Sequence, residues 1–380
     1  MAKNLLDAVY GCLIGGAIGD AMGAPVEGWD YEKIRAIHGK VTDILVSNRG
    51  NTGPTYGGTS GESYDEEYDG LPPVRGQFTD DTTLRQLMAL AVVQKGGRIT
   101  PDDYAKVLIE KLNPNRMWVN ERVILWKLKA GINPWDCGLG SIPAGVATMA
   151  IAPIGIINAG SPQQAYQDAF NIGFVNQAGH NRDGAATFAA GVAEALRPDA
   201  TIKSILDVMF AHSTYLMKRA MHKTMNLAQR CSSLDEFTEQ YYACMLDYSW
   251  PNSPHLPNDQ DRYFSGNTIE LVPITMAILY FTEGEPYQAI IEAASFGRDC
   301  DTTAAMAGNI CGALHGASSL PAEWIETIEK ANLDFYEEIT DDPKKNFFWM
   351  AEGMVHALSN ELGRTKERAQ QLEALLNQIH

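Results

Sequence analysis

Two stretches of this sequence repeat glycine every fourth residue: Gly11, Gly15 and Gly19 near one end, and Gly308, Gly312 and Gly316 near the other. Residues four apart share a helix face, so each stretch predicts a helix with one nearly bare side. Glycine inside a helix costs about 1 kcal/mol relative to alanine. Three in a row need an offset, and close approach of another backbone is the natural one. Helices that pair inside membranes use similar spacing. Here, however, Asp20 and the run from Asp299 to Asp301 abut the stretches, and the apolar segment from Ala8 to Ile18 is shorter than the about 20 residues a bilayer needs. Both are therefore read as core helices.

Elsewhere, helix-start signals recur, each placing a side-chain acceptor where the first free N–H groups need one. Thr100-Pro101-Asp102-Asp103, Ser161-Pro162-Gln163-Gln164 and Ser233-Leu234-Asp235-Glu236 are examples, followed by apolar residues at helical spacing such as Tyr104, Val107, Leu108 and Leu112. Alternating strand patterns are scarce, the best being the short run Val41 to Ser47. The expectation is an all-α protein of about a dozen helices at ordinary helix length. No composition shift divides the chain, so residues 1–380 read as one domain. Two polar stretches without periodicity, Asn48 to Arg75 and Trp250 to Asp261, read as long loops, the first as an active-site rim because it runs into Thr79. The run Glu361 to Ile379 reads as an amphipathic helix packed on the surface.

A formal charge of −17 (30 Lys and Arg against 47 Asp and Glu) repels a phosphate backbone, so nucleic acid is not an expected partner. Six cysteines without a C-x-x-C pair favour neither a zinc site nor a disulfide framework, and suit a reducing compartment. With only Lys3 as a basic n-region, no membrane partner or signal peptide is read, and the expected location is cytoplasmic.

Chemistry concentrates in two acidic clusters. Thr79-Asp80-Asp81 precedes Leu84, Leu87, Met88, Leu90 and Ala91, which places the carboxylates at a helix start, where capping alone would also favour them. Asp299-Cys300-Asp301-Thr302 leads into a small-residue helix, and in an extended approach Asp299 and Asp301 point to one side. Carboxylates flanked by Thr hydroxyls form an all-oxygen set suited to Mg²⁺, Mn²⁺ or Ca²⁺. Four converging carboxylates would repel one another, and a pair of cations would keep them ionised. Spacing by itself does not bring the two clusters together.

In this order the motifs resemble the ADP-ribosylglycohydrolase family, which includes dinitrogenase reductase-activating glycohydrolase, ADP-ribosyl-acceptor hydrolases and a jellyfish crystallin. Gly11 to Gly28 is similar to the family's opening helix and acidic flap, Gly76 to Thr82 to its first metal motif, Ala152-Pro153-Ile154-Gly155 to its central proline segment, and Asp299 to Gly316 to its second metal motif. The resemblance implies a compact single-domain orthogonal helical bundle with two Mg²⁺ ions (Mn²⁺ as the alternative) in a central cleft. It implies Thr79, Asp80, Asp81, Asp299, Asp301 and Thr302 as ligands and Glu27 as the flap glutamate. Where relatives carry Gly-Gly before the second motif, this chain has Gly297-Arg298; where a Met-Arg pair is common, it has Met149-Ala150.

The expected activity is magnesium-dependent cleavage of a ribosyl glycosidic bond, removing ADP-ribose from a protein side chain or small acceptor. Glu27, Asp81 and Asp301 are the catalytic candidates, and His180, Arg298 and Gly155 the substrate-binding ones. Trp118, Trp126, Trp135, Tyr56 and Tyr64 could stack on a base but none is assigned. Two alternatives stay open: a hydrolase of a smaller N-riboside such as a nucleoside, and a non-catalytic crystallin-like or binding protein. The sequence gives no oligomeric state.

Overall fold

The structure is a computed structural model that describes residues 4–47, 74–244 and 266–377. Among these the chain forms eighteen α-helices: α1 (Leu5–Gly23), α2 (Tyr31–His38), α3 (Asp80–Lys95), α4 (Pro101–Lys111), α5 (Val119–Lys129), α6 (Val146–Ala150), α7 (Ala152–Ile157), α8 (Pro162–Ile172), α9 (His180–Ala195), α10 (Ile202–Ala211), α11 (Tyr215–Ala228), α12 (Leu234–Cys244), α13 (Thr268–Thr282), α14 (Pro286–Phe296), α15 (Cys300–His315), α16 (Ala322–Ala331), α17 (Leu333–Thr340) and α18 (Phe347–Leu376). Strand content is one antiparallel pair, β1 (Val46–Ser47) with β2 (Val74–Arg75). The strand expected over Val41 to Ser47 shrinks to its last two residues. The loop proposed as an active-site rim lies outside the described residues from 48 to 73, as does the one from Trp250 to Asp261.

The two glycine faces meet each other. A Cβ added to Gly11 would sit 2.5 Å from the carbonyl oxygen of Gly312, one on Gly15 2.5 Å from that of Gly308, and one on Gly19 2.1 Å from that of Ala304. As numbers rise on α1 they fall on α15, so the helices run antiparallel with backbones in direct contact. Gly23 continues the row against Asp301, 2.4 Å from its backbone nitrogen. Gly316 ends the row: its bare side meets the Asp7 carboxylate of α1, and it caps α15 at φ 88, a backbone that glycine adopts without strain. At 19 residues α1 is longer than its most apolar stretch suggested, and with the next turn it is long and apolar enough to cross a bilayer; its residues from Gly11 to Gly23 are instead buried in the protein.

Around this pair α14, α13, α3 and α9 close one continuous apolar core that runs from Ala8 to Ala357. Local signals behave as read: Thr100 and Asp103 form a reciprocal capping box at α4. Ser161 precedes α8 without a side-chain cap bond. The C-terminal run departs from expectation. It is the second half of the 30-residue α18, whose first half packs through Phe347, Met350, Ala351, Met354 and Ala357, while residues 362–377 are exposed, Leu372 and Leu376 included.

Candidate active site

The C-terminal end of α1 gathers the acidic motifs. Asp20, fully buried, accepts hydrogen bonds from the backbone N–H of Thr79 at 3.0 Å, from that of Thr82 at 3.0 Å and from the Thr82 hydroxyl at 2.5 Å. This fixes the turn that opens α3, where the Thr79 hydroxyl in turn caps the N–H of Asp81. One turn along α1, Gly23 abuts the backbone of Asp301. A short 3₁₀ turn, Ala24–Val26, then delivers Glu27, and the next residues are stitched to the second motif: Gly28 N–H donates to the Arg298 carbonyl and Arg298 N–H to the Trp29 carbonyl, both at 2.7 Å. Ligand oxygens of Glu27, Asp299 and Asp301 consequently lie within 4.8 Å of one another.

The two clusters lie near enough for their charges to act on one another. Burial and the charges of Asp20, Asp80 and Asp299 together push the Asp81 carboxyl well above the usual range, with Arg85 opposing. Burial, then the neighbouring Glu27, raises Asp299 from 3.8 to about 6. Arg85 is the basic counterweight: fully buried, it donates through Nε to the Met149 carbonyl and through Nη1 to Thr82. One guanidinium cannot neutralise six carboxylates. The buried Asp81 Oδ2 has no hydrogen-bond partner among the described residues, and every donor in the set is oxygen, so the residues fit hard divalent cations. Thr79, Asp80 and Thr302 also sit here, each at most 8% exposed, and the Thr302 N–H donates to Asp301 Oδ1.

The other candidates are placed differently. Arg298 is buried and gives its guanidinium to Glu270 of α13, Nε to Oε1 at 2.5 Å and Nη2 to Oε2 at 3.0 Å. Its backbone is left-handed at φ 62, a conformation that suits glycine better and that this buried bidentate pair helps to hold. The bare side of Gly155 is turned to Val192 and the Ala189 carbonyl of α9, 2.6 and 2.7 Å from an added Cβ, so this glycine serves helix packing and presents no surface to a substrate. His180 opens α9 and its Nε2 lies 3.2 Å from Asn267 Oδ1. Ala150 is fully buried. Among the aromatic candidates Trp118 is buried, Trp126 and Trp135 are exposed, and Tyr56 and Tyr64 fall outside the described residues.

Three site residues were missed from sequence. Asp20 was noticed only as a charge next to an apolar stretch. Arg85 had a usable signal, a lone cation inside the apolar run from Leu84 to Leu90 and one turn after Asp81. Glu121, at 2% exposure, lies near Asp80, and burial followed by that charge raises its carboxyl well above the usual range. Nothing in its local sequence distinguishes it from a surface glutamate in a first helical turn.

Known proteins resemble this chain along most of its length. A family model described as ADP-ribosylglycohydrolase matches residues 1–360. The chain is 22% identical over 351 residues to the uncharacterized protein YegU of Escherichia coli (strain K12), covering 87% of this chain and 94% of that one. It is 23% identical over 345 residues to the ADP-ribosylarginine hydrolase Tri1 of Pseudomonas putida (strain GB-1), covering 86% of this chain and 75% of Tri1. Among solved structures, one titled ADP-ribosylglycohydrolase-related protein complex superposes with a TM-score of 0.57 at 18% identity, covering 94% of this chain and 97% of that chain.

Proposed function

The chain belongs to the ADP-ribosylglycohydrolase family and is a hydrolase of that type, and from this premise we propose that it removes ADP-ribose from a side-chain nitrogen in a reaction that depends on Mg²⁺. The observation that carries the proposal is the meeting of Glu27, Asp299 and Asp301 within 4.8 Å, with the orphaned Asp81 oxygen close enough to feel Asp299. The arginine-directed activity for which Tri1 is named supports the choice of a nitrogen linkage.

Thr79, Asp80, Asp81, Asp299, Asp301 and Thr302 would hold the ions, with Glu27 at their edge. When bound, a pair of divalent cations supplies Lewis acidity toward oxygen atoms of the substrate. The chain's own groups do the rest. Cleavage of the ribosyl bond builds positive charge at the anomeric carbon, which this concentration of carboxylates stabilises. Glu27, half-buried and next to Asp299, would take a proton from the attacking water. Arg85 and Asp20 touch no reacting atom: they hold the turn from Thr79 to Thr82 in place.

Asp81→Ala and Asp301→Ala should each abolish Mg²⁺-dependent release of ADP-ribose from ADP-ribosyl-arginine, a loss of at least about a thousandfold on the scale of removed charge-stabilising groups. Circular dichroism should show the helical fold retained. A near-wild-type rate in either variant at saturating Mg²⁺ refutes the assignment.

A further inference from the structure

The second half of α18 leaves the body of the protein with its apolar side uncovered. Asn360 Nδ2 still donates to the Gly96 carbonyl at 3.2 Å, and Glu361 still accepts from the Arg98 N–H at 2.9 Å. Beyond them every described residue from Leu362 to Asn377 is exposed, with Leu362 at 54%, Leu372 at 43% and Leu376 at 62%. These leucines are not scattered. Leu362, Thr365, Ala369, Leu372 and Leu376 follow one another at alternating intervals of three and four residues, and Ile379, outside the described residues, is next in the sequence. Strict alternation of three and four marks the seam of a two-stranded coiled coil, narrower than the stripe by which a helix lies on a globular core. The same spacing runs back through Leu358 and Val355, which pack on the core, so the seam keeps to the side of α18 that faces the body.

A lipid surface, an unrelated protein or a second copy of the chain would each cover such a seam, and charge selects among them. Arg364, Lys366 and Arg368 are balanced by Glu361, Glu367 and Glu373, whereas a helix lying on a membrane carries an excess of Lys and Arg on its polar face. The flanks of this seam instead complement themselves. With two copies running in opposite directions and Ala369 level with Leu372 of the partner subunit, Lys366 comes alongside Glu373 of the partner subunit, and the symmetry repeats the pair. On the other flank the aliphatic stem of Arg368 covers Leu375 of the partner subunit. A parallel pairing is blocked, because a helix running the same way along the seam would enter the core beside Leu358 and Val355. An antiparallel helix arrives from the free end of α18. We propose that this half of α18 is a homodimerisation element, which forms an antiparallel two-helix seam with the same segment of a second copy. So short a seam lies at the small end of specific interfaces, under about 1,200 Å², which sets its dissociation constant in the micromolar range.

Sedimentation equilibrium of the full-length protein, at concentrations on either side of about 10 μM, tests this. The wild-type protein should pass from monomer to dimer as concentration rises. Leu372→Glu combined with Leu376→Glu should stay monomeric with its helical circular dichroism retained, since both side chains are exposed within one copy. Lys366→Glu should weaken association about tenfold by setting like charges across the seam, and adding Glu373→Lys should restore it. That rescue also reads the direction of the helices. In a parallel pair Lys366 would face Glu361 and Glu373 would face Arg368, so the double exchange would leave both pairs repulsive. A dimer that the double exchange fails to restore therefore overturns the proposal. A dimer that persists in the double glutamate variant overturns it too, placing the interface elsewhere. So does a wild-type protein that stays monomeric throughout: sedimentation with vesicles of phosphatidylcholine and phosphatidylserine would then assign the seam to lipid, and its absence to another protein.

Discussion

At Asp20 one carboxylate receives two backbone N–H groups and a hydroxyl from the turn that presents Thr79, Asp80 and Asp81, all without access to water. An amide in its place has one oxygen and turns an N–H₂ toward donors, so Asp20→Asn leaves buried donors unmatched at a cost of about 1–3 kcal/mol. The expected result is a fall of at least about tenfold in Mg²⁺ affinity by calorimetry, because the turn loosens where the ions would bind. Unchanged affinity alongside a lowered melting temperature would reduce Asp20 to a fold-holding residue. The departures at Arg298 and Ala150 are both buried, and Arg298 is spent on Glu270.

At the level of elements, the glycine rows of α1 and α15 are what make the site. Their contact is backbone on backbone, and its antiparallel register sets Gly23 on Asp301 and carries Glu27 to Asp299. A single methyl group is too much for this contact. Gly15→Ala or Gly308→Ala would put a Cβ at 2.5 or 2.0 Å from the facing carbonyl oxygen, against which the rigid backbone cannot yield. Each should lower unfolding free energy by about 1–3 kcal/mol despite alanine's better helix propensity. Gly363→Ala, where nothing lies within 4 Å on the exposed half of α18, is the control and should cost nothing. Denaturant titrations of the three variants would decide the matter, and equal stabilities would mean the helices do not touch as described.

For the whole molecule, gathering so many carboxylates ties stability to pH and to cations. Asp299 is raised in the folded protein from 3.8 to about 6, and burial with the neighbouring carboxylates also raises Asp81 well above its usual range. A carboxyl more easily protonated when folded contributes stability that is full below its unfolded value, near pH 4, and is lost as pH rises through about 6. Chelator-treated protein should thus lose this contribution between about pH 4 and pH 6, read as melting temperature across that roughly two-unit window. Mg²⁺ should restore it, with a larger increment at pH 7.5; an increment independent of pH would separate the ions from these groups. Much of this was legible without coordinates. The all-α class, the glycine-faced helices and both acidic motifs follow from local rules, since helix periodicity, capping and ligand chemistry are properties of short stretches. Three things were not legible: that the two glycine faces pair with each other, that Asp20 and Arg85 brace the first motif from outside it, and that Glu121 lies near Asp80. Each depends on residues far apart in sequence meeting in the core. Contact of that kind is set by how whole helices pack, which only the tertiary structure decides.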